Sequence, residues 1–267
     1  MSESEGRRRF LKSVGALGAA GAVSSSTLPE SANAQHAGHA QHLAQAKTSV
    51  VSSASNGNAW HYLMQHEADF LDAAVARLIP ADELGPGAKE TGGTVFIDRQ
   101  LASSWGTHGR NYRQGPWPEG TPQQGYQSPL TPQEVYRFGI REVNVHCSKQ
   151  YGKSFEALTG AQQDEVLKAL DENKLDFASV PARLFFNMLL DNTKEGFFSD
   201  PMYGGNRDKA GWKMVGFPGV AAVYTEFIDK YNVPYRAQPV SILDIEQKLA
   251  QVDEHGHAIH VMLGKNE

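Results

Sequence analysis

The chain has 267 residues, with 25 Lys and Arg against 30 Asp and Glu, a formal charge of −5, and 40% hydrophobic content. A chain of that length buries most of its apolar surface as one large domain or two small ones, and its acidic balance argues against nucleic acid, whose binding needs Lys and Arg to displace phosphate counterions. The one cysteine, Cys147, excludes an internal disulfide framework, a four-cysteine zinc site and a self-contained iron–sulfur cluster, and no apolar run reaches the roughly 18 residues of a membrane-spanning helix.

Residues 1–34 read as an export signal. Arg7-Arg8-Arg9-Phe10-Leu11-Lys12 opens a mildly apolar Ala/Gly stretch from Val14 to Val23, and Ala32-Asn33-Ala34 supplies a small-x-small cleavage pattern. Arg-Arg-x-Phe-Leu-Lys, carried by Arg7, Arg8, Phe10, Leu11 and Lys12 with Ala32 and Ala34 as the small residues of the cleavage pattern, is similar to a twin-arginine signal, which makes the twin-arginine translocase an expected partner. Residues 35–58 are rich in Ala, Gln, Ser and His without a helical apolar stripe, a composition that cannot offset ordering entropy and predicts a tether. His36, His39 and His42 recur there every third residue; a solvated linker is the plainer reading, weak metal binding the sharper one.

From Trp60 the pattern becomes helical. Leu63, Phe70, Leu71, Ala74, Val75 and Leu78 follow three- and four-residue spacing and predict a helix that runs to about Ile79, stopped by Pro80 and a turn over Ala81–Gly87. Val95 to Leu101 predicts a second, shorter helix, and residues 105–130, with Gly, Pro, Trp105, Tyr112, Trp117 and Tyr126, predict an irregular connection. Thr131-Pro132-Gln133-Glu134 is a capping signal for a helix to about Tyr151, and Thr159-Gly160-Ala161-Gln162 repeats that logic. Pro181 opens a helix with Phe185, Phe186, Leu189 and Leu190 on its apolar side and Gly196 as its expected stop, and Val220 to Tyr231 predicts a last amphipathic segment. The expected fold is mainly α: a helical domain over 59–240 with long irregular Gly/Pro/aromatic-rich connections, then a C-terminal extension over 241–267.

No G-x-G-x-x-G after a strand, P-loop, C-x-x-C, C-x-x-C-H or G-x-S-x-G occurs in the chain after the signal, so this polypeptide is expected to hold no cofactor and no catalytic residue of its own. His146 and Cys147 are neighbours, but adjacent helical positions point about 100° apart, which favours a packed thiol over a nucleophile pair. His255, His257 and His260 with Asp253 and Glu254 either form a solvated tail or gather a metal; a stand-alone periplasmic metal-binding protein or an unrecognised enzyme are the corresponding rival functions.

Residues 196–219 form a glycine-punctuated stretch bearing Phe197, Phe198, Tyr203, Trp212 and Phe217, with Ser199-Asp200-Pro201 as a turn opener and Asn206, Arg207 and Asp208 as polar groups able to fix it internally. This stretch, together with Leu78-Ile79-Pro80-Ala81-Asp82-Glu83-Leu84-Gly85-Pro86-Gly87 and Phe96-Ile97-Asp98, resembles the small-subunit family of gluconate 2-dehydrogenase, subunit 3 or gamma, over roughly Trp60 to Tyr235. The resemblance implies an accessory chain of a membrane-associated periplasmic complex. In such a complex an FAD-containing dehydrogenase large subunit oxidises a sugar or sugar acid and a cytochrome c subunit carrying haem c passes electrons to quinone. It leaves open whether the complex acts on gluconate or, as in related complexes, on glucose, fructose or sorbitol. Phe197, Phe198, Asp200, Tyr203, Asn206, Arg207, Trp212 and Phe217 are then either loop architecture or partner interface, and both can hold at once.

Overall fold

Three helix starts among the described residues are closed by a Thr or Ser cap. In the computed structural model, which describes residues 59–263 apart from 110, 119, 126 and 221–226, Thr131 Oγ1 accepts from the Glu134 amide while Glu134 returns a bond from its carboxylate to the Thr131 amide, and Thr159 and Gln162 do the same. These boxes start α3, Pro132–Tyr151, and α4, Gly160–Asp171. Before them come α1, Gln65–Leu78, and α2, Gly93–Ala102. After them come α5, Ala182–Phe198, and two short helices, α6, Ala210–Val215, and α7, Ile242–Glu246. The fold is mainly α; among the described residues, extended pairing is limited to isolated bridges such as Gly219–Val240 and Ala237–Met262.

The first helix starts at Gln65. The amides of His61, Tyr62 and Leu63 just ahead of it are taken by the buried Asp98 carboxylate, His61 at 2.9 Å and the other two at 3.0 Å. His61 Nδ1 lies 3.2 Å from the same carboxylate. Asp98 thus fastens the entry strand of the domain to α2.

Helix α5 is the central element, packed against α1, α2, α3 and α4. Phe185 on α5 meets Phe70 of α1 at 6.2 Å and the Tyr136 ring of α3 edge-on at 5.8 Å, and Phe70 also lies 4.7 Å from Phe155. All four rings are fully buried, which makes this aromatic group the largest apolar contribution to the core. The buried Tyr136 hydroxyl donates to Asn192 Oδ1 at 2.8 Å; burial, with Glu195 and Asp191 nearby, holds its pKa well above the usual range. Helix α5 runs two residues past Gly196, which does not stop it. Gly196 is needed for close approach: a Cβ there would stand 2.9 Å from the Phe96 ring of α2.

The thiol of Cys147 is buried on the inner face of α3, and burial, then the charge of Glu156, pushes its pKa up to about 11. The 105–130 connection holds a single short turn at Pro122–Gln124 among its described residues, and its Tyr112 is fully out in solvent. Residues 221–226 of the expected last amphipathic segment lie outside the described residues; Phe227 is in a 3₁₀ turn and Ile228 and Asp229 form a turn after it. No helix of the described residues is long and apolar enough to cross a membrane.

Candidate functional surface and its supporting loop

Leaving α5, the chain turns at Asp200, whose Oδ1 accepts the Met202 amide at 3.0 Å and caps the turn Pro201–Tyr203. Gly204 follows at φ +97°, a conformation that other residues rarely adopt. Asn206, Asp208 and Lys209 then take left-handed φ values of 46°, 58° and 55°, an unusual density of strained positions. Bonds hold them there. Asn206 Nδ2 donates to Ser199 O at 2.8 Å, Asn206 Oδ1 accepts the Gly211 amide at 2.8 Å, and the Arg207 amide donates to Thr91 O at 3.0 Å. Trp212 Nε1 donates to Phe198 O at 2.7 Å, and its ring meets Phe217 edge-on at 5.1 Å.

The eight aromatic and polar residues singled out in this loop therefore divide. Phe197, Asp200, Asn206 and Trp212 are buried and serve the loop's own architecture, and Phe198 is half-buried against Phe197. Tyr203, Arg207 and Phe217 face outward. The inner side of the loop rests on α2, where Arg99 Nη1 donates to Met202 O at 3.2 Å.

A returning segment closes the loop from the other side. Asp200 Oδ2 accepts the Ile242 amide at 2.7 Å, and Lys209 Nζ donates to Asp244 Oδ2 at 2.7 Å. Asp244 also accepts the Ser241 amide, while Ser241 Oγ accepts the Asp244 amide, which makes the capping box that starts α7. Burial works to raise the Asp244 pKa, but hydrogen bonds from Lys209 and Ser241 outweigh it and hold the carboxyl below its ordinary value. Residues 241–246, expected to belong to a separate extension, are thus bonded to the loop.

Beyond these ties the C-terminal segment keeps its apolar side chains outside. Among the described residues, ten of the fifteen exposed large apolar side chains lie at or after Val215, including Ile228, Tyr231 and Leu249 at 66%, 80% and 70% exposure. The histidines weighed as a metal-gathering alternative to a solvated tail are spread out: His257 and His255 hang on Asp253 through its side-chain oxygens, and His260 packs on the Tyr235 ring. Among the described residues no group of three His, Cys, Asp or Glu is arranged to hold a metal ion. Arg7, Arg8, Phe10, Leu11, Lys12, Ala32, Ala34 and the three linker histidines lie outside the described residues.

Two charged features escaped the sequence reading. Asp98 was visible only as a carboxylate inside an otherwise apolar helix, a placement that signals a buried partner without naming it. Glu67 is buried at the start of α1, takes the Met64 amide at 2.9 Å and lies 3.0 Å from Arg137 Nε of α3, whose guanidinium also covers the Tyr62 ring. Residues 65–219, more than half the chain, match the family model described as gluconate 2-dehydrogenase subunit 3. No match was found among curated proteins or among solved structures.

Proposed function

The chain belongs to the gluconate 2-dehydrogenase subunit 3 family, and from that premise we propose that it is the noncatalytic accessory subunit of a periplasmic dehydrogenase complex held at the inner membrane. Membership makes it a subunit of an oxidoreductase complex. In the proposed division of labour the FAD-containing large subunit removes hydride from a polyol or aldonate carbon, with gluconate the first candidate, and a cytochrome c subunit takes the electrons onward. FAD and haem c reside in those chains. This chain grips the flavoprotein and lends it the twin-arginine signal of Arg7 and Arg8, so that both leave the cytoplasm folded.

The observation that carries this reading is the apolar surface of the C-terminal segment, where side chains such as Ile228, Tyr231 and Leu249 stand in solvent on a chain whose core is otherwise well closed. Concentrated exposed apolar surface marks a protein-binding face. Replacing Arg7 and Arg8 by Lys in the native host is the direct test. The flavoprotein is expected to stay in the cytoplasm; its undiminished appearance in the periplasm overturns the escort role.

A further inference from the structure

An open groove of about 620 Å³ runs between the start of α1 and one face of α3. Its floor is apolar, with Met64 and Val145 half exposed and the edge of Ile140 behind them. Its rim is basic. Arg137, Arg141 and Lys149 recur along α3 at spacings of four and eight residues, which puts them on one side of the helix over about 18 Å. The lining carboxylate is Glu67, which is buried and engaged by Arg137 and the Met64 amide. Glu142 approaches Arg141 from the flank at 3.9 Å, and Arg141 Nη2 also donates to Ser179. Lys149 has no partner among the described residues.

Arg137 is held by Glu67 and Tyr62, which leaves Arg141, only loosely met by Glu142, and Lys149 as the cations open to a partner. On a chain with a net charge of −5, a rim whose cations outnumber its carboxylates above an apolar floor is the reverse of the average surface. We propose that this groove receives an acidic amphipathic helix, about three turns long, from another subunit of the dehydrogenase complex. The apolar edge of that helix lies over Met64 and Val145, and its carboxylates face Arg141 and Lys149. Helix-in-groove docking uses this division, with apolar anchors for affinity and flanking charge for register and approach. The concavity favours a polypeptide over a lipid surface, which would meet a convex face. The inference rests on the accessory-subunit reading and adds to it the surface and the chemistry of the partner segment.

The test uses the full-length chain, affinity-tagged in its native host, and the double reversal Arg141→Glu with Lys149→Glu at exposed positions. Co-purification of the dehydrogenase subunits is expected to fall about ten-fold or more, with wild-type recovery declining as salt is raised. A photo-crosslinking amino acid at Val145 is expected to mark an acidic helical peptide of another subunit. Undiminished recovery with the double reversal overturns the groove proposal and leaves the subunit reading standing. So does a crosslink to a second copy of this chain, or charge-dependent sedimentation with anionic phospholipid vesicles in place of subunit capture. If the wild-type chain recovers no dehydrogenase subunit, both fall.

Discussion

The loop over 199–212 and the segment after Val215 have similar ingredients, glycines, prolines and large apolar side chains without a helical stripe, and opposite fates. The loop turns its Trp inward and stitches its backbone with the side chains of Asp200 and Asn206. The later segment pairs its backbone with itself, as in Val220 with Val240 and Gln238 with Val261, and caps turns with Ser241, Asp244 and Asp253, yet leaves Ile228, Tyr231 and Leu249 in water. Irregular backbone is buried only where its amides and carbonyls find partners, because an unpaired buried polar group costs more than an apolar side chain gains by leaving water. Both regions find partners for backbone amides, but the loop also turns Phe197 and Trp212 inward, and this separates a structural loop from a surface left for another chain.

The sharpest way to break that contrast is at its buried anchor. Trp212→Ala removes the ring packed on Phe217 and the bond to Phe198 O, and is expected to cost about 3–5 kcal/mol in urea unfolding followed by circular dichroism. A cost below about 1 kcal/mol would mean the loop is held elsewhere. Asn206→Ala comes next, at about 2–3 kcal/mol, since it leaves Ser199 O and the Gly211 amide without their partner and sets alanine at φ 46°. Asn206→Gly relieves the backbone strain but not the lost bonds, so it is expected to recover only part of that loss.

How much of this was legible follows from the range of each signal. The boxes at Thr131–Glu134 and Thr159–Gln162 are contained in four residues, so sequence alone places those helices. Ser241-x-x-Asp244 carries the same signal and was passed over because the five-residue helix after it has no apolar periodicity to strengthen it. Asp98 closes on amides more than thirty residues earlier, and nothing local to Phe96-Ile97-Asp98 says which backbone it will hold. Gly196 was misread as a stop because a packing glycine and a capping glycine are the same letter. The loop's residues were legible as a set, but inward and outward aromatics have the same composition, and only the bonds of Asp200 and Asn206 separate Trp212 from Tyr203.

A smaller effect sharpens the comparison at the seam between the two regions. Asp244 has its carboxyl below the ordinary value of 3.8, with burial opposing and the Lys209 and Ser241 bonds prevailing. A carboxylate depressed in the folded state stabilises fully above its unfolded value and loses that contribution as pH falls through the folded one. The tie is therefore intact at neutral pH and weakens below pH 3.8, first seen as faster hydrogen exchange at the Ser241 amide, which donates to the Asp244 carboxylate. Lys209→Ala is expected to cost about 1 kcal/mol or less and to bring that release to higher pH. An unchanged exchange profile would show that Lys209 does not set the seam.

The least effect on folding is expected where the exposed apolar side chains are most conspicuous. Ile228→Ser and Leu249→Ser remove groups that are 66% and 70% in solvent, so each is expected to change stability by no more than about 0.5 kcal/mol. Recovery of the other dehydrogenase subunits should nevertheless fall, because a side chain that adds little to its own fold and is buried by a partner contributes to the complex alone. The two measurements must be made on the same protein. A loss of stability above about 1.5 kcal/mol would mean these residues pack within the chain, and the distinction from the loop would be gone. Stability and recovery both unchanged would move the partner surface away from the C-terminal segment and leave the basic groove on α3 as its place.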